Sequence, residues 1–219
     1  MTHPAKALLR SQLLAARRSV PDHVRQHESE HLCAHLADAL GEATIVAAYV
    51  PIGGEPGSIG GEPGSIGGEP GSPAILDTLA KRCATVLLPV ARTGPDGEHL
   101  PLQWGRYVPG RLVAGRFGLR EPAEPWLPAS ALSDAQVVLV PALAVDRRGV
   151  RLGRGGGFYD RSLPLCAPDA RLVAVVRDTE ILDRLDAEPH DVPMTHALTP
   201  GRGLLALDGG PLADGGSST

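Results

Sequence analysis

The stretch between Val140 and Arg161 carries residues that could bind an anion. Arg151 and Arg154 offer paired N–H donors that match phosphate or carboxylate oxygens. Gly155–Gly157 allow the backbone to approach a ligand closely and to turn its N–H groups towards it. A helix that begins near Gly157 would add the partial positive charge of its N-terminus. The pattern predicts an anion-binding loop, although the glycines alone leave a solvated glycine-rich connection as the alternative.

This stretch lacks two common phosphate-binding signatures. No Gly-Lys-Ser/Thr ends the loop as in a Walker A motif, and no Gly-x-Gly-x-x-Gly opens a first strand–helix unit. Further candidates lie elsewhere: Lys6 and Arg10 stand four apart and share one face of a helix. Without other information, these two residues are typical of a solvated basic face of a helix. In the same way, Asp160 is typical of a charge in the first turn of a helix, and Asp191 of a residue that caps a loop.

Composition limits the class of protein. A chain of 219 residues has the length of one domain, or at most one and a half. Its hydrophobic share of 42% can form a core, which must be built from Leu, Val and Ala because aromatic residues make up only 3%. The net charge of −4 argues against a general nucleic-acid surface, so we expect no nucleic-acid partner.

The chain shows no sign of membrane insertion or of disulfide bonding. It has no run of about 18 apolar residues, so no membrane span is predicted. Residues 1–18 lack the apolar centre of a signal peptide, and we expect a cytoplasmic protein. Cys33, Cys83 and Cys166 are widely spaced, which favours reduced, buried thiols over a disulfide framework or a metal cluster.

Helices that alternate with short apolar runs must position these residues. Together they predict a three-layer α/β/α domain with a mostly parallel sheet, whose ligand site lies beyond the carboxyl ends of the strands. Gly115–Pro125 is expected to be an irregular connection. The predicted helices are 6–18, 22–40, 73–82, 158–166 and 179–185, and the predicted strands are 44–50, 85–89, 98–104, 137–140, 171–176 and 197–199.

A tandem repeat interrupts this pattern. Ile-Gly-Gly-Glu-Pro-Gly-Ser occurs three times, at 52–58, 59–65 and 66–72. Its Gly and Pro content excludes a helix, and three units are too few for a solenoid, so we expect a flexible loop made by duplication of one unit. The predicted organisation is a single domain over 1–207 with the inserted repeat loop 52–72, followed by a flexible tail over 208–219.

The stretch from Val140 to Arg161 closely resembles the signature of 5-formyltetrahydrofolate cyclo-ligases, also called methenyltetrahydrofolate synthetases. Further matching features occur in the same order along the chain, so the resemblance spans residues 4–200. They are Lys6…Leu9-Arg10, the Gly-Gly-Glu loop after the strand at 44–50, Gly118-Leu119-Arg120-Glu121-Pro122 and Pro189-His190-Asp191.

The resemblance implies a fold similar to the NagB/RpiA/CoA-transferase group and an ATP-dependent ring closure. In this family ATP phosphorylates the formyl oxygen of 5-formyltetrahydrofolate, N10 attacks the activated carbon, and loss of phosphate leaves 5,10-methenyltetrahydrofolate. The family requires Mg²⁺, which the resemblance places on Asp160 and Asp191. A monomer with reduced folate and ATP as its small-molecule partners is expected.

The resemblance also implies roles for individual residues. Arg154 and Lys6 are expected to be catalytic. ATP is expected to bind at Lys6, Ala7, Leu8, Leu9, Arg10, Arg151, Leu152, Gly153, Arg154, Gly155, Gly156, Gly157, Phe158 and Tyr159. The folate substrate is expected to bind at Val50, Glu55, Glu69, Phe117, Arg154, Gly155, Gly156, Gly157 and Phe158.

Two of these assignments leave alternatives open. Each repeat unit carries a glutamate, and Glu55 is favoured because the preceding strand fixes it, while Glu69 keeps the right distance from the next helix. Phe117 is as well suited to plain core packing. Two other functions also remain: a sugar-phosphate isomerase or CoA-transferase relative, and a folate- or nucleotide-binding module whose turnover the longer loop has reduced.

Overall fold

The computed structural model describes residues 3–51, 73–115 and 120–208. Glu55, Glu69, Phe117 and the predicted tail beyond residue 208 therefore lie outside the described residues. The α-helices are α1 (His3–Arg18), α2 (Asp22–Leu40), α3 (Pro73–Arg82) and α4 (Phe158–Ser162). The strands are β1 (Ile45–Ala47), β2 (Thr85–Val90), β3 (Gln103–Arg106), β4 (Leu112–Ala114), β5 (Arg120–Pro122), β6 (Val137–Pro141), β7 (Ala144–Asp146), β8 (Arg151–Leu152), β9 (Arg171–Val175), β10 (Ile181–Leu182), β11 (His196–Thr199) and β12 (Gly203–Ala206).

A seven-stranded sheet, counted over the described ranges, forms the centre in the order β12-β11-β9-β6-β1-β2-β3. Strands β11, β9, β6, β1 and β2 are parallel, and the antiparallel strands β12 and β3 form its edges. From β1 the chain moves to β2 on one side, then returns to β6 on the other. This reversal between β1 and β6 is the position at which such sheets bind ligands. The predicted mostly parallel sheet is confirmed.

Side chains alternate between the two faces of the sheet and create two cores. Val46, Leu88 and Val173 point into one core, against the apolar sides of α2 and α3. Val138, Val140 and the fully buried Trp104 belong to the core on the opposite face, which α4 and short 3-10 helices cover. The helices therefore lie on both faces, as a three-layer α/β/α fold requires.

Helix α1 does not cover the main sheet. Its Leu9, Leu13 and Leu14 pack on a third cluster that contains Leu143 and Leu152. That cluster belongs to a small three-stranded sheet, β10-β7-β8, inserted after β6. The apolar side of α1 thus binds this helix to the hairpin that precedes the glycines.

Several predicted elements differ in detail from the structure. The strands predicted over 44–50 and 98–104 are the shorter β1 and β3, and the connection over 115–125, expected to be irregular, contains β5. The helix predicted over 179–185 is a 3-10 turn, Asp178–Glu180, followed by β10, because Ile181 pairs in parallel with Val145 of β7. The helix predicted over 158–166 stops at Ser162 and continues as a 3-10 turn, because Pro164 has no N–H to donate to the carbonyl four residues earlier. The predicted last strand, 197–199, is followed by β12. Helices α2 and α3 have the predicted bounds.

Within the described residues, no helix is both long enough and apolar enough to span a bilayer.

The turn between β7 and β8 requires glycine at position 149. Gly149 has φ +83°, and a Cβ there would overlap the carbonyl oxygen of Met194 and lie 2.9 Å from its nitrogen. Gly149→Ala should lower the free energy of unfolding by more than the roughly 1–2 kcal/mol of left-handed strain. Gly97→Ala is the matched control in urea unfolding, because Gly97 has φ +80° with nothing within 4 Å of the added Cβ. Equal losses in both variants would contradict the proposed contact.

Candidate active site

The glycine loop, residues 153–157, follows β8 at the carboxyl edge of the sheet. Gly155 has φ +96° and Gly157 has φ +68°, so both adopt backbone conformations that favour glycine. Helix α4 begins directly after Gly157, as predicted, but has only five residues. Its dipole is correspondingly small, and the positive charge around the loop comes mainly from arginine side chains.

A buried carboxylate holds the base of this loop. Asp146, at the end of β7, is fully buried and accepts hydrogen bonds from the backbone N–H groups of Arg148, Val150 and Leu185, at 2.9–3.0 Å. Nη2 of Arg148 donates a hydrogen bond to Oδ2 of the same carboxylate at 3.0 Å. The three backbone donors and the guanidinium together satisfy the hydrogen-bonding capacity of this buried side chain. Asp146 thereby fixes the hairpin from which the glycines extend.

Helix α1 brings Arg10 onto the glycine loop. Arg10 Nε donates to the carbonyl oxygen of Gly153 at 2.9 Å, although 143 residues separate the two in sequence. A Cβ on Gly155 would lie 3.7 Å from the Arg10 guanidinium carbon, so the loop passes directly beneath this cation. Lys6, one turn earlier, forms an ion pair with Glu188 at 2.6 Å. The two cations predicted to share a face of a helix both point to the loops at this edge of the sheet.

A buried ion pair fixes the other end of α1. Arg17 is 1% exposed and donates through Nε and Nη2 to the two oxygens of Glu180, both at 2.7 Å. Arg17 also donates to the carbonyl oxygen of Ala142, at 2.6 Å, immediately after β6. Glu180 in turn accepts the backbone N–H of Arg177, whose side chain binds Glu28 of α2. The position of α1 is therefore tied to the strand end that leads into the glycine loop.

Arg151 and Asp160 form an ion pair across the loop. Arg151 Nη2 donates to Asp160 Oδ1, and the guanidinium carbon lies 5.7 Å from the ring centroid of Tyr159. Asp160 is 31% exposed in the first turn of α4. The carboxylate assigned to a metal from the resemblance thus lies beside the glycine loop, with an arginine as its partner.

Asp191 lies on the segment that also carries Glu188. Its Oδ2 accepts the backbone N–H of Glu188 at 2.7 Å, which makes it the loop cap that its position suggested. His190 Nε2 lies 4.0 Å from Asp191 Oδ1. Over the described ranges, no group of three or more His, Cys, Asp or Glu side chains is arranged to hold a metal ion.

The remaining predicted site residues differ in accessibility. Arg154 is exposed at the tip of the glycine loop, and Phe158 packs partly on the core beneath it. Leu8 is 62% exposed, and Ala7 is also exposed. Leu152 is buried, so a ligand could contact only its backbone. Val50 is half-buried just beyond β1 and packs on the α2–α3 side of the sheet.

Sequence reasoning missed three residues at this site. His99, on the connection from β2 to β3, contacts both Gly156 and Phe158. Glu188 pairs with Lys6, and Asp146 binds the backbone of the hairpin that precedes the glycines. Asp146 could have been found, because an Asp three residues before a Gly is typical of a side-chain-bonded turn. His99 and Glu188 have no local signature.

Burial changes the pKa of two cysteines away from the loop. It raises the pKa of Cys166 to about 11, and it raises the pKa of Cys83 although Arg82 acts in the opposite direction. Both thiols are therefore protonated near neutral pH and unsuited to nucleophilic catalysis. All three cysteines are free thiols, but only Cys83 is buried, whereas Cys33 and Cys166 are partly exposed, in contrast to the predicted burial.

Comparison with known proteins decides the family. The family model described as 5-formyltetrahydrofolate cyclo-ligase family matches residues 64–200. A curated relative from Mycolicibacterium smegmatis, named 5-formyltetrahydrofolate cyclo-ligase, is 55% identical over 207 residues, which covers 94% of this chain and 100% of the relative. The chain belongs to the 5-formyltetrahydrofolate cyclo-ligase family. A cyclo-ligase from Escherichia coli strain K12 is 30% identical over 129 residues, or 58% of this chain and 70% of that protein.

Solved structures agree with the cyclo-ligase assignment. The structure of 5,10-methenyltetrahydrofolate synthetase from Aquifex aeolicus matches with a TM-score of 0.71 and 26% identity, over 98% of this chain and 96% of that chain. A 5,10-methenyltetrahydrofolate synthetase from Mycoplasma pneumoniae matches with a TM-score of 0.62 and 17% identity, over 89% and 98% of the two chains. The second likeness shows the fold alone.

The ion pair between Arg17 and Glu180 gives a prediction for stability. Arg17→Met should lower the free energy of unfolding by about 3 kcal/mol, because Glu180 would remain as a buried carboxylate without its main partner. Combining it with Glu180→Gln should recover part of the loss, since the stranded charge is removed. Urea unfolding measures both.

Arg18→Met is the control for this experiment, because Arg18 is the next residue of α1 and is exposed. It should change the free energy of unfolding by less than about 0.5 kcal/mol. A loss in the Arg17 variant no larger than in the Arg18 variant would show that the buried pair does not anchor α1.

Proposed function

We propose that this chain converts 5-formyltetrahydrofolate to 5,10-methenyltetrahydrofolate, with conversion of ATP to ADP and phosphate. The observation that carries the proposal is the contact of Arg10 with the glycine loop, at the carboxyl edge of the sheet, in a member of the cyclo-ligase family. It brings cations from α1 and donors from a loop 143 residues away to one place. An anionic co-substrate such as ATP suits that combination.

The chemistry requires charge neutralisation and alignment. The formyl oxygen attacks the γ-phosphorus, and the bond between that phosphorus and the β–γ bridging oxygen breaks to release ADP. N10 then attacks the activated formyl carbon and loses its proton to water or to the departing phosphate, and the carbon–oxygen bond breaks to release phosphate. A formyl oxygen is both a poor nucleophile and a poor leaving group, so catalysis depends on bringing it in line with the γ-phosphate and on cations around the transferred group.

Arg154, Lys6 and Arg10 supply those cations in this proposal. Arg154 is exposed at the loop tip and can approach both the γ-phosphate and the formyl oxygen. Lys6 is held by Glu188 and Arg151 by Asp160, so each cation is positioned before ATP arrives. Phosphate oxygens would then share or replace these carboxylate partners. ATP contacts would extend along Ala7–Leu9 and Leu152–Tyr159 through the backbone and neighbouring side chains.

The acidic residues present fit a Mg²⁺ ion bound together with ATP. Mg²⁺ binds through one or two carboxylates plus phosphate oxygens and water, so it does not need a dedicated cluster of protein ligands. Asp160 is partly exposed beside the glycine loop and Asp191 lies on the segment that contacts Lys6 through Glu188. These two would hold the ion, and the ion would neutralise charge on the β- and γ-phosphates when bound.

The folate would bind between Val50, the glycine loop and two segments outside the described residues. Phe117 and one glutamate of the tandem repeat are proposed as its contacts there. The match to the family model begins at residue 64, so it includes Glu69 and not Glu55. Because the units are identical, deletion of any two leaves the same sequence, with one glutamate at the correct distance from both β1 and α3.

The other proposals concern the whole molecule. A cytoplasmic monomer that uses reduced folate and ATP, with no nucleic-acid partner, agrees with the charge and composition. The isomerase or CoA-transferase alternative is not favoured, because the relatives are named cyclo-ligases.

Absorbance of the methenyl product tests the function and the role of Arg154. The wild-type protein should form that chromophore only when Mg-ATP and 5-formyltetrahydrofolate are both present. Arg154→Ala should lower kcat/KM by about 10- to 100-fold, the effect of losing charge-assisted hydrogen bonds to a phosphoryl group. Arg82→Ala is the control, because Arg82 is an exposed residue at the end of α3, on the opposite edge of the sheet. No chromophore from the wild type would refute the proposed function.

The repeat glutamates can be separated by substitution. Of Glu55→Gln, Glu62→Gln and Glu69→Gln, one should raise the KM for 5-formyltetrahydrofolate by about tenfold and leave the KM for ATP unchanged, because one unit contacts the substrate.

Deletion of 59–72 should increase activity or tighten folate binding. Its single Glu55→Gln derivative should then show the same loss. Wild-type kinetics in all four glutamate-to-glutamine variants would exclude the repeat from the site.

A further inference from the structure

His99 lies above the glycine loop and belongs to none of the segments assigned to ATP or folate. It is on the connection between β2 and β3, where Thr93 and His99 form an antiparallel bridge. Leu100 N–H donates to the carbonyl oxygen of Arg92 at 3.1 Å, and Leu102 N–H donates to Ser162 Oγ at 2.9 Å. The backbone around His99 is therefore fixed to its own hairpin and to the end of α4.

The imidazole contacts the glycine loop and the first residue of α4. Its Nδ1 lies 2.6 Å from the carbonyl oxygen of Gly156, and its ring stacks on Phe158 with 4.2 Å between centroids and 14° between planes. A carbonyl oxygen only accepts hydrogen bonds, so Nδ1 must carry a proton in this contact. The stack fixes the ring plane and thereby directs that N–H at Gly156.

This hydrogen bond determines the orientation of one peptide group. The peptide that joins Gly156 to Gly157 is planar and trans, so its C=O and N–H point in opposite directions. Once His99 holds the carbonyl on one side, the N–H of Gly157 faces the other side. Glycine lies at both ends of this peptide, so without the bond it could rotate at little steric cost.

We propose that His99 is a positioning residue for ATP binding. It holds the Gly156 carbonyl so that the N–H of Gly157 faces the site where the phosphates bind. It acts through the backbone of the loop and does not itself contact the transferred group. This inference rests on the proposed function, because it assumes that the glycine loop binds the phosphates of ATP.

Two substitutions separate the hydrogen bond from the stack. His99→Phe keeps an aromatic ring against Phe158 and removes the donor. His99→Asn removes the ring and places an amide N–H close to the position of Nδ1. We expect His99→Phe to raise the KM for ATP, and the Kd of a non-hydrolysable ATP analogue, by about tenfold, with the KM for 5-formyltetrahydrofolate unchanged. His99→Asn should restore most of the affinity for ATP.

Several outcomes of these measurements would contradict the proposed role of His99. Wild-type KM and Kd for ATP in His99→Phe would overturn the proposal. Equal losses in both variants would also overturn it, because an N–H donor at this position would then fail to restore the affinity for ATP. A wild-type protein that binds the analogue without turnover would refute the cyclo-ligase function, while the Kd values of the two variants still test His99. A wild-type protein that does not bind the analogue would refute both.

Discussion

The geometry of the candidate site depends on a buried ion pair between Arg17 and Glu180. The two side chains are only 1% and 5% exposed, so both charges lose most of their hydration. The hydrogen bonds that the guanidinium donates to both carboxylate oxygens and to the carbonyl oxygen of Ala142 offset this cost. Such a pair adds little net stability compared with apolar side chains, but it allows few alternative arrangements. It fixes α1 against the end of β6, from which the chain continues through β7 and β8 to the glycine loop.

The position of α1 allows one site to be built from distant parts of the chain. Three leucines of α1 bury apolar surface on the small sheet, and Arg10 of the same helix meets Gly153 directly after β8. In the seven-stranded sheet, the strand order reverses between β1 and β6, and this reversal leaves room for a ligand above the carboxyl edge. The buried carboxylate of Asp146 holds the hairpin, and His99 holds the carbonyl of Gly156. Both of these contacts fix the backbone of the segment that carries the glycines.

The sequence predicted the parts whose signal is local. The leucine spacing of α2, the apolar run of β6 and the grouping of glycines with Arg151 and Arg154 each follow from neighbouring residues, and all agree with the structure. Even the approach of α1 to the glycine loop was expected, although that expectation came from the family resemblance.

The parts of the structure that the sequence did not predict depend on contacts between residues far apart in the chain. Strands β7, β8 and β10 have two or three residues each, too few for a local pattern, and exist because they pair with one another. The same pairing overrides the helical pattern predicted over 179–185. The partners of Lys6 and of the Gly156 carbonyl are Glu188 and His99, which are far away in sequence and adjacent only in the fold.

Hydrogen exchange with and without Mg²⁺ and a non-hydrolysable ATP analogue tests the central claim, that α1 and the glycine loop form one nucleotide site. Peptides that cover residues 3–14 and residues 150–160 should both exchange more slowly when the analogue is bound, because the phosphates contact both segments at once. Slower exchange in the glycine loop with no change in α1 would contradict the account, as it would separate Lys6 and Arg10 from the bound nucleotide.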